Sequence, residues 1–313
     1  MSKIGIDIEK AKQILQNGGL VAIPTETVYG LAANALNEDA VLKIFKAKNR
    51  PHFDPLIIHT SGIEQAMNWV TDFPEWADKL AKAFWPGPLT LLLPKWAIPD
   101  LVSSGLEQVA VRVPDHPLTL QLLALLDFPL AAPSANPFGY VSPTTPQHVA
   151  DQLEDRVDYI LDGGVCQVGI ESTIVGMEEG KLCVFRLGGL AVEEIEKVVG
   201  PVEQRLNQSS DPKAPGMLKN HYAPAKPLFV GDVAGMLKTH LGKKIGVISL
   251  DTVYEGVETR RLSATGDLDE AAHNLFAAIR SLDGAVDVIL AERFPDNFLG
   301  RAINDRLRRA AVK

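Results

Sequence analysis

The chain has 313 residues, enough for about two domains, and its 46% hydrophobic and 22% charged residues are typical of a globular protein. The formal net charge of −8 excludes a surface built for bulk binding of nucleic acid or anionic membranes, although a small basic pocket remains compatible with it. No stretch approaches the ~18 uninterrupted apolar residues of a membrane span, and the first residues lack the apolar core of a signal peptide.

The two cysteines, Cys166 and Cys183, stand alone in apolar runs. They lack the paired spacing of a zinc site or a redox centre, so we expect no metal ligated by the protein itself. We expect both to be buried, reduced side chains in a cytoplasmic protein.

Strand and helix patterns alternate through the first 200 residues and predict an α/β domain. Short apolar runs predict strands at residues 20–23, 56–59, 89–93, 109–113, 130–132, 157–161, 172–175 and 182–186. Helical spacing of apolar residues predicts helices at 63–70, 74–84 and 116–126, and another that begins at 37–39 and ends within 46–51.

Polar residues gather where these strands end. The run Pro-Thr-Glu-Thr-Val-Tyr-Gly at 24–30 follows the first strand, and a loop rich in proline and hydroxyls fills 133–145. Strand 56–59 ends on His59, and Arg112 interrupts an apolar strand. Arg112 needs a partner, because an unpaired buried charge costs several kcal/mol or more. Polar strand ends are typical of small-molecule sites in α/β proteins.

Composition shifts near residue 200. Residues 201–227 are polar and rich in proline, and a second αβ pattern follows, with strands at 228–230, 245–250 and 286–290 and helices at 232–240, 268–281 and 297–309. We therefore predict a first domain at 1–200, an interdomain linker at 201–227 and a small α/β domain at 228–313. The aromatic and histidine content of the linker exceeds what a passive spacer needs.

Familiar catalytic fingerprints are absent, including the glycine-rich nucleotide loops, H-E-x-x-H and G-x-S-x-G. The remaining candidates are hydroxyls and four cations at strand and helix ends: Lys48, Arg50, Arg112 and Arg186. If the cations converge, they suit a polyphosphate and a carboxylate. Catalysis would then depend on positioning and charge stabilisation, as in phosphoryl and nucleotidyl transfer.

Each candidate also has an ordinary structural explanation. Lys48 and Arg50 could cap a helix, His59 could be a core histidine, and Arg112 could form a structural ion pair. The polar side chains of 134–142 could hold a turn. Only convergence in space separates the two explanations.

Together these motifs resemble the YrdC-like threonylcarbamoyl-AMP synthases, in the longer form with a C-terminal domain. The resemblance covers nearly the whole chain, with the motifs in the same order. It lies in residues 24–31, the K-x-R of 48–50, residues 55–59, the S-x-N of 134–136, residues 142–144, Ser172–Thr173, Arg186 and the linker run 215–222. The chain departs from the usual family pattern at Ala32, Asp54, Phe138 and Gly176.

The resemblance implies a fold, a reaction and partners. The fold would be a twisted, open mixed sheet around a basic cavity, with a small Rossmann-like C-terminal domain. The reaction would form L-threonylcarbamoyladenylate and pyrophosphate from L-threonine, bicarbonate or CO2, and ATP with Mg2+. The product would pass to a separate transferase complex that makes the t6A modification of tRNA, with at most a weak tRNA contact and no membrane contact here. The linker would cover the cavity.

Residue roles also follow from the resemblance. Lys48 and Arg50 would be catalytic, by neutralising phosphate charge. The threonine site would comprise Thr27, His59, Arg112, Ser134 and Ser172. The nucleotide site would comprise Lys48, Arg50, Asp54, Asn136, Ser142, Arg186 and Tyr222.

Two alternatives stay open at this stage. The first is a YrdC-type module that binds RNA or tRNA without catalysis, which the acidic composition disfavours. The second is a carbamoyl-transfer role like that of the related domain in hydrogenase-maturation proteins. Those proteins carry zinc-finger cysteine clusters and an acylphosphatase module, and neither is visible in this sequence.

Overall fold

The computed structural model describes residues 3–206 and 222–311, and within them the chain forms two α/β units. The strands are β1 (Ile4–Gly5), β2 (Val21–Ile23), β3 (Gly30–Asn34), β4 (Ile57–His59), β5 (Leu89–Pro94), β6 (Gln108–Arg112), β7 (Leu130–Ala131), β8 (Tyr159–Leu161), β9 (Thr173–Glu178), β10 (Lys181–Arg186), β11 (Glu203–Gln204), β12 (Leu228–Val230), β13 (Ile245–Ser249), β14 (Glu258–Arg261) and β15 (Val288–Ala291). The helices are α1 (Ile8–Gln16), α2 (Glu38–Lys48), α3 (Ile63–Met67), α4 (Glu75–Phe84), α5 (Asp100–Ser103), α6 (Pro117–Ala124), α7 (Pro146–Leu153), α8 (Val192–Val199), α9 (Val233–Thr239), α10 (Leu268–Asp283) and α11 (Phe298–Ala310).

The first unit is an open mixed sheet, as predicted. Over the described residues its strand order is β1-β8-β2-β3-β7-β4-β6-β5-β9-β10-β11. Parallel pairs such as β4 with β6 alternate with antiparallel pairs such as β5 with β6. The central strands are buried, which explains their continuous apolar runs. Ile57, Leu92 and Ala110 pack together on one face, in a satellite cluster separate from the main core.

Helix α2 shows how the sequence shapes an element beside this sheet. The Asn37 side chain accepts a hydrogen bond from the Ala40 N–H and begins the helix, and Val41 and Ile44 lie on its buried face. The helix ends because Asn49 adopts a left-handed conformation, with φ 52°. Its backbone N–H donates to the carbonyls of the last turn, which closes the helix and redirects the chain.

The second unit is a parallel sheet with the order β12-β15-β13-β14. This agrees with the predicted small α/β C-terminal domain. Within the predicted linker, Glu203–Gln204 forms β11, which pairs with β10 and so belongs to the first sheet. Residues 207–221, which carry most of the predicted linker, lie outside the described residues.

The two units share a core and are held together by polar contacts. Buried residues of both sheets belong to one hydrophobic cluster. From α10, the Arg280 side chain donates to the backbone carbonyls of Val141 and Ser142. At the start of α11, the Phe298 N–H donates to Glu193 on α8. Helices of the second unit thus hold loops and helices of the first.

The predicted burial of the two cysteines is confirmed: Cys166 and Cys183 are both buried, and both are free cysteines. None of the described helices has both the length and the apolar character needed to cross a membrane.

Gly188 lies where two backbone segments meet, and it generates a stability prediction. A Cβ at this position would lie 2.3 Å from the Glu171 carbonyl oxygen and from the Ser172 carbonyl carbon. Gly188→Ala should lower the free energy of unfolding by about 1–3 kcal/mol, because rigid backbone must move. Urea unfolding of this variant provides the measurement.

Gly284→Ala is the matched control, because nothing lies within 4 Å of its added Cβ and its φ is −86°. It should change stability by no more than about 0.5 kcal/mol. Equal effects of the two substitutions would contradict the steric argument.

Candidate active site

Strand register places several predicted site residues in one row across the first sheet. His59 on β4 lies opposite Arg112 on β6, and Arg112 lies opposite Thr90 on β5. The row continues through Ile174 on β9 to Arg186 on β10. A register shift between Val184 and Arg186 marks a β-bulge, a feature that redirects a side chain. Residues directly opposite each other share a face of the sheet, and three members of this row, His59, Arg112 and Arg186, line one cavity.

The two polar loops close over this row because their backbones pair with each other. The Tyr29 N–H donates to the Pro143 carbonyl at 2.9 Å, and the Ala135 N–H donates to the Tyr29 carbonyl at 2.8 Å. A β-bridge also joins Gly30 to Ser134. The loops at 24–30 and 133–143 therefore form one wall, although about 100 residues separate them in the chain.

Hydrogen bonds within the first loop decide which hydroxyl faces the cavity. Thr25 Oγ1 donates to the Val28 carbonyl at 2.6 Å and lies 2.8 Å from the Thr27 hydroxyl. Thr25 lines the cavity, whereas Thr27 is fully buried behind it. Thr27, the predicted threonine contact, therefore does not line the cavity, and it is connected to the lining by its hydrogen bond with Thr25.

The end of α2 brings two predicted catalytic cations to the site. Lys48 is buried, and its Nζ donates to the carbonyls of Ser134 at 2.5 Å and Asn136 at 2.6 Å. Burial, followed by the charge of Arg50, holds the pKa of Lys48 well below its usual value. Lys48 therefore holds the S-x-N loop in place. Arg50, the residue after Asn49, lines the cavity.

The cavity has an empty volume of about 570 Å³, which includes space that is open to solvent. Six predicted site residues line it: Arg50, His59, Arg112, Ser134, Arg186 and Tyr222. The other six lie in a layer behind the lining: Thr27, Lys48, Asp54, Asn136, Ser142 and Ser172. The sequence reasoning missed two polar lining residues, Thr25 and Glu171.

Two of the cavity arginines form buried ion pairs. Arg112 Nη2 donates to Glu26 Oε1 at 2.7 Å, which supplies the partner that the sequence required. Arg50 Nη2 lies 2.9 Å from Asp54 Oδ2, at ion-pair distance but without hydrogen-bond alignment. Arg50 Nε also donates to the Asp54 carbonyl at 3.1 Å. Each pair keeps a guanidinium charged in a water-poor place.

Arg186 and Ser172 form a third unit of the site. Arg186 donates from Nε to the Ser172 carbonyl and from Nη2 to the Ser172 hydroxyl, both at 3.0 Å. The Ser172 hydroxyl also lies 2.7 Å from that of Thr90. Burial lowers the pKa of Arg186 to about 10, so its side chain remains a cation at neutral pH. Ser172, which does not line the cavity, thus orients Arg186, which does.

Tyr222, from the predicted linker, lines the cavity and packs against the second unit. The Tyr222 ring stacks on Phe276 of α10, with the ring centroids 5.6 Å apart. The guanidinium groups of Arg306 and Arg309 on α11 lie 4.8 Å and 4.9 Å from the ring centroid. These contacts hold the predicted nucleotide-site tyrosine against α10 and α11 of the second unit.

Phe138, a departure from the family pattern, contacts the end of α2. Its ring lies 5.9 Å from the Arg50 guanidinium, and its N–H donates to the Lys48 carbonyl. An aromatic face there supports the Arg50 side chain, where a serine would supply a hydroxyl.

Comparisons with known proteins agree with this architecture. The family model described as "Telomere recombination" matches residues 13–188, and that described as "Threonylcarbamoyl-AMP synthase, C-terminal domain" matches residues 190–312. The threonylcarbamoyl-AMP synthase of Pyrococcus abyssi is 44% identical, over 97% of this chain and 94% of that protein. The Bacillus subtilis threonylcarbamoyl-AMP synthase is 42% identical, over 97% of this chain and 92% of that protein.

A solved structure agrees as well. The crystal structure of Pyrococcus abyssi Sua5 complexed with L-threonine matches with a TM-score of 0.91 and 43% identity, over 97% of this chain and 94% of that one. The open mixed sheet carries a cavity lined by three buried arginines, an arrangement that suits anionic ligands. The chain belongs to the threonylcarbamoyl-AMP synthase family, in the form with a C-terminal domain.

The pKa of His59 leads to a prediction about pH. Burial, followed by the charge of Arg112, lowers this pKa to about 3, so the imidazole is neutral in the folded protein. The unfolded chain takes up a proton near pH 6.5, whereas the folded chain does not until about pH 3. Stability contributed by the neutral ring is therefore complete above about pH 6.5 and is lost as the pH falls toward about 3.

His59→Asn should therefore reduce the slope of unfolding free energy against pH between about pH 5 and 6.5, measured by urea unfolding. His148→Asn should remove a separate part of the slope, because burial also lowers the pKa of His148 to about 4. An unchanged slope in the His59 variant would show that this ring does not stay neutral.

Proposed function

We propose that this chain forms L-threonylcarbamoyl-AMP and pyrophosphate from L-threonine, bicarbonate or CO2, and ATP. The observation that carries the proposal is the convergence of Arg50, Arg112 and Arg186 on one buried cavity, together with neutral hydroxyl donors. The likeness to a structure solved with L-threonine supports threonine as the amino acid.

The proposed chemistry needs positioning more than acid–base catalysis. The threonine amine, having lost a proton, attacks the carbon of CO2 and, after a second proton leaves, gives an N-carboxylate. An oxygen of this carboxylate attacks the α-phosphorus of ATP, the bond to the bridging oxygen breaks, and pyrophosphate leaves. Buried guanidinium groups suit this reaction, because they stabilise developing phosphate charge in a water-poor site. Exclusion of water also protects the labile carbamate.

We assign the lining residues by charge and position. Arg112, His59 and Ser134 bind threonine, with Arg112 on its carboxylate and neutral His59 as a hydrogen-bonding group. Arg50, Arg186 and Tyr222 bind the nucleotide. Arg50 is the group that contacts the developing charge.

The buried site residues that do not line the cavity act through the residues that do. Lys48 and Asn136 hold the loop of Ser134, and Thr27 supports Thr25. Ser172 orients Arg186, Asp54 sets the position of Arg50, and Ser142 contacts Glu171. We therefore propose that six residues predicted to contact the substrates instead support the residues that line the cavity.

Mg2+ enters the proposal with ATP. Among the described residues no cluster of three or more metal-ligating side chains occurs, and the one carboxylate on the cavity lining, Glu171, is ion-paired. We infer that ATP oxygens and water hold the metal, as is common for Mg2+ at nucleotide sites, where it neutralises phosphate charge.

We place the reaction in the cytoplasm, where ATP and tRNA occur. The product would be handed to a tRNA-modifying transferase complex that makes t6A. The net charge of −8 supports at most a weak contact of this chain with tRNA itself.

Pyrophosphate release should depend on L-threonine. With ATP, Mg2+ and bicarbonate, we expect threonine to give the largest rate among the amino acids, in a coupled pyrophosphate assay. Serine is the matched control, because it lacks only the threonine methyl group, which is worth about 1–3 kcal/mol of discrimination. A rate indifferent to threonine, with tight and steeply salt-dependent tRNA binding, would favour the RNA-binding alternative.

Removing Arg50 should lower turnover by about 2–4 kcal/mol of transition-state stabilisation. The informative variant is the double Arg50→Ala, Asp54→Asn, because Arg50→Ala alone leaves a buried carboxylate unpaired. Single-turnover rates of this double variant provide the measurement.

Asp54→Asn alone is the control, and it should keep much of the activity because it retains the guanidinium. A double variant with near-wild-type rates would remove Arg50 from the chemistry.

A further inference from the structure

Arg306 connects the C-terminal helix α11 to the cavity. It is fully buried, and its Nε donates to Glu171 Oε2 at 2.8 Å. The same side chain donates to the Leu187 carbonyl at 2.9 Å and to Asp305 at 3.1 Å. Its guanidinium also lies over the Tyr222 ring, 4.8 Å from the centroid. Arg306 therefore contacts two residues of the cavity lining without belonging to that lining.

Glu171 is held between two partners. Its Oε1 accepts from the Ser142 hydroxyl at 2.5 Å, and its Oε2 accepts from Arg306. Burial acts to raise the pKa of Glu171, but the charges of Arg306 and then Arg186 outweigh it, so the pKa lies below its usual range. A carboxylate on the lining of a site for phosphates and carboxylates repels those ligands unless a cation neutralises it.

We propose that Arg306 is a positioning residue of the synthase site, holding Glu171 against Ser142 so that this carboxylate does not compete with the nucleotide for the cavity arginines. The inference rests on the proposed function for the identity of the nucleotide. It assigns the C-terminal domain a direct part in nucleotide affinity.

Removing Arg306 alone should allow Glu171 to compete with the nucleotide for the cavity arginines. Without Arg306, the main cation that still attracts Glu171 is Arg186, whose charge already lowers the pKa of this carboxylate. A carboxylate that turns toward Arg186 opposes the phosphates of ATP. Replacing Arg306 and Glu171 together by neutral groups removes the competitor, because no unpaired carboxylate is left at position 171.

The experiment compares ATP affinity in three variants of the full chain. R306M should raise the KM for ATP about tenfold with a smaller change in kcat, which marks weakened ground-state binding. The double variant R306M with E171Q should return the KM to within about threefold of wild type. R306K keeps the positive charge but lacks the planar guanidinium that donates to several partners at once. Its KM for ATP should therefore fall between those of wild type and R306M.

R301M is the matched control. Arg301 also lies on α11 and also pairs with a first-domain carboxylate, Glu193, but neither residue lines the cavity. R301M should change the KM for ATP by less than about twofold while removing another ion pair between the units, one that is more exposed than that of Arg306.

Equilibrium binding of ATP with Mg2+, measured by calorimetry, separates the two proposals. If threonine-dependent pyrophosphate release is absent in wild type, the proposed function fails, and the role of Arg306 is still decided by the ATP dissociation constants. Wild-type affinity in R306M overturns the inference. So does a double variant as weak as R306M, since Arg306 would then act only as a structural support. If R306M does not fold, R306K and the neutral double variant decide by the same affinities.

Discussion

The burial of positive charge is the constraint on which this site depends. Guanidinium groups act strongly on phosphate only where water is scarce, yet an unpaired charge in such a place destabilises the fold. Arg112 and Arg50 meet both demands because Glu26 and Asp54 lie within 2.7 Å and 2.9 Å of them. Arg186 is held by the carbonyl and hydroxyl of Ser172. The carboxylates behind the lining therefore offset the cost of burying Arg112 and Arg50, although they carry the same sign of charge as the substrates.

Much of the fold could be predicted because long apolar runs and helix-start signals are local. Asn37 begins α2 as expected, and the strands that hold His59 and Arg112 lie within a residue or two of their predicted bounds. Four of the described strands were not predicted: β1, β3, β11 and β14. β3 (Gly30–Asn34) is made of small residues with little preference for extended structure, and β14 (Glu258–Arg261) is a charged strand at the edge of the second sheet. Their pairing partners, not their own composition, make them strands.

The site could be predicted only as far as residue type allows. The sequence showed that Arg112 needs a partner, but Glu26 lies 86 residues away, and the fold brings the two together. It also placed a hydroxyl from the loop 24–30 at the site. Whether Thr25 or Thr27 faces the cavity depends on the hydrogen bond from Thr25 to Val28, which composition does not reveal. Glu171 was missed for the same reason, since its partner Arg306 lies 135 residues further along the chain.

The contacts of Ser142 show that the second unit is structurally coupled to the first. Its carbonyl accepts from Arg280 on α10, while its hydroxyl donates to Glu171, which in turn accepts from Arg306 on α11. Asp283, at the end of α10, accepts from the Tyr140 hydroxyl and from the Lys226 N–H. Two helices of the C-terminal unit thus fix both the loop after the S-x-N motif and the chain that follows Tyr222. Because buried networks of this kind are stable only when every member is satisfied, the geometry of the cavity and the docking of the second unit depend on each other.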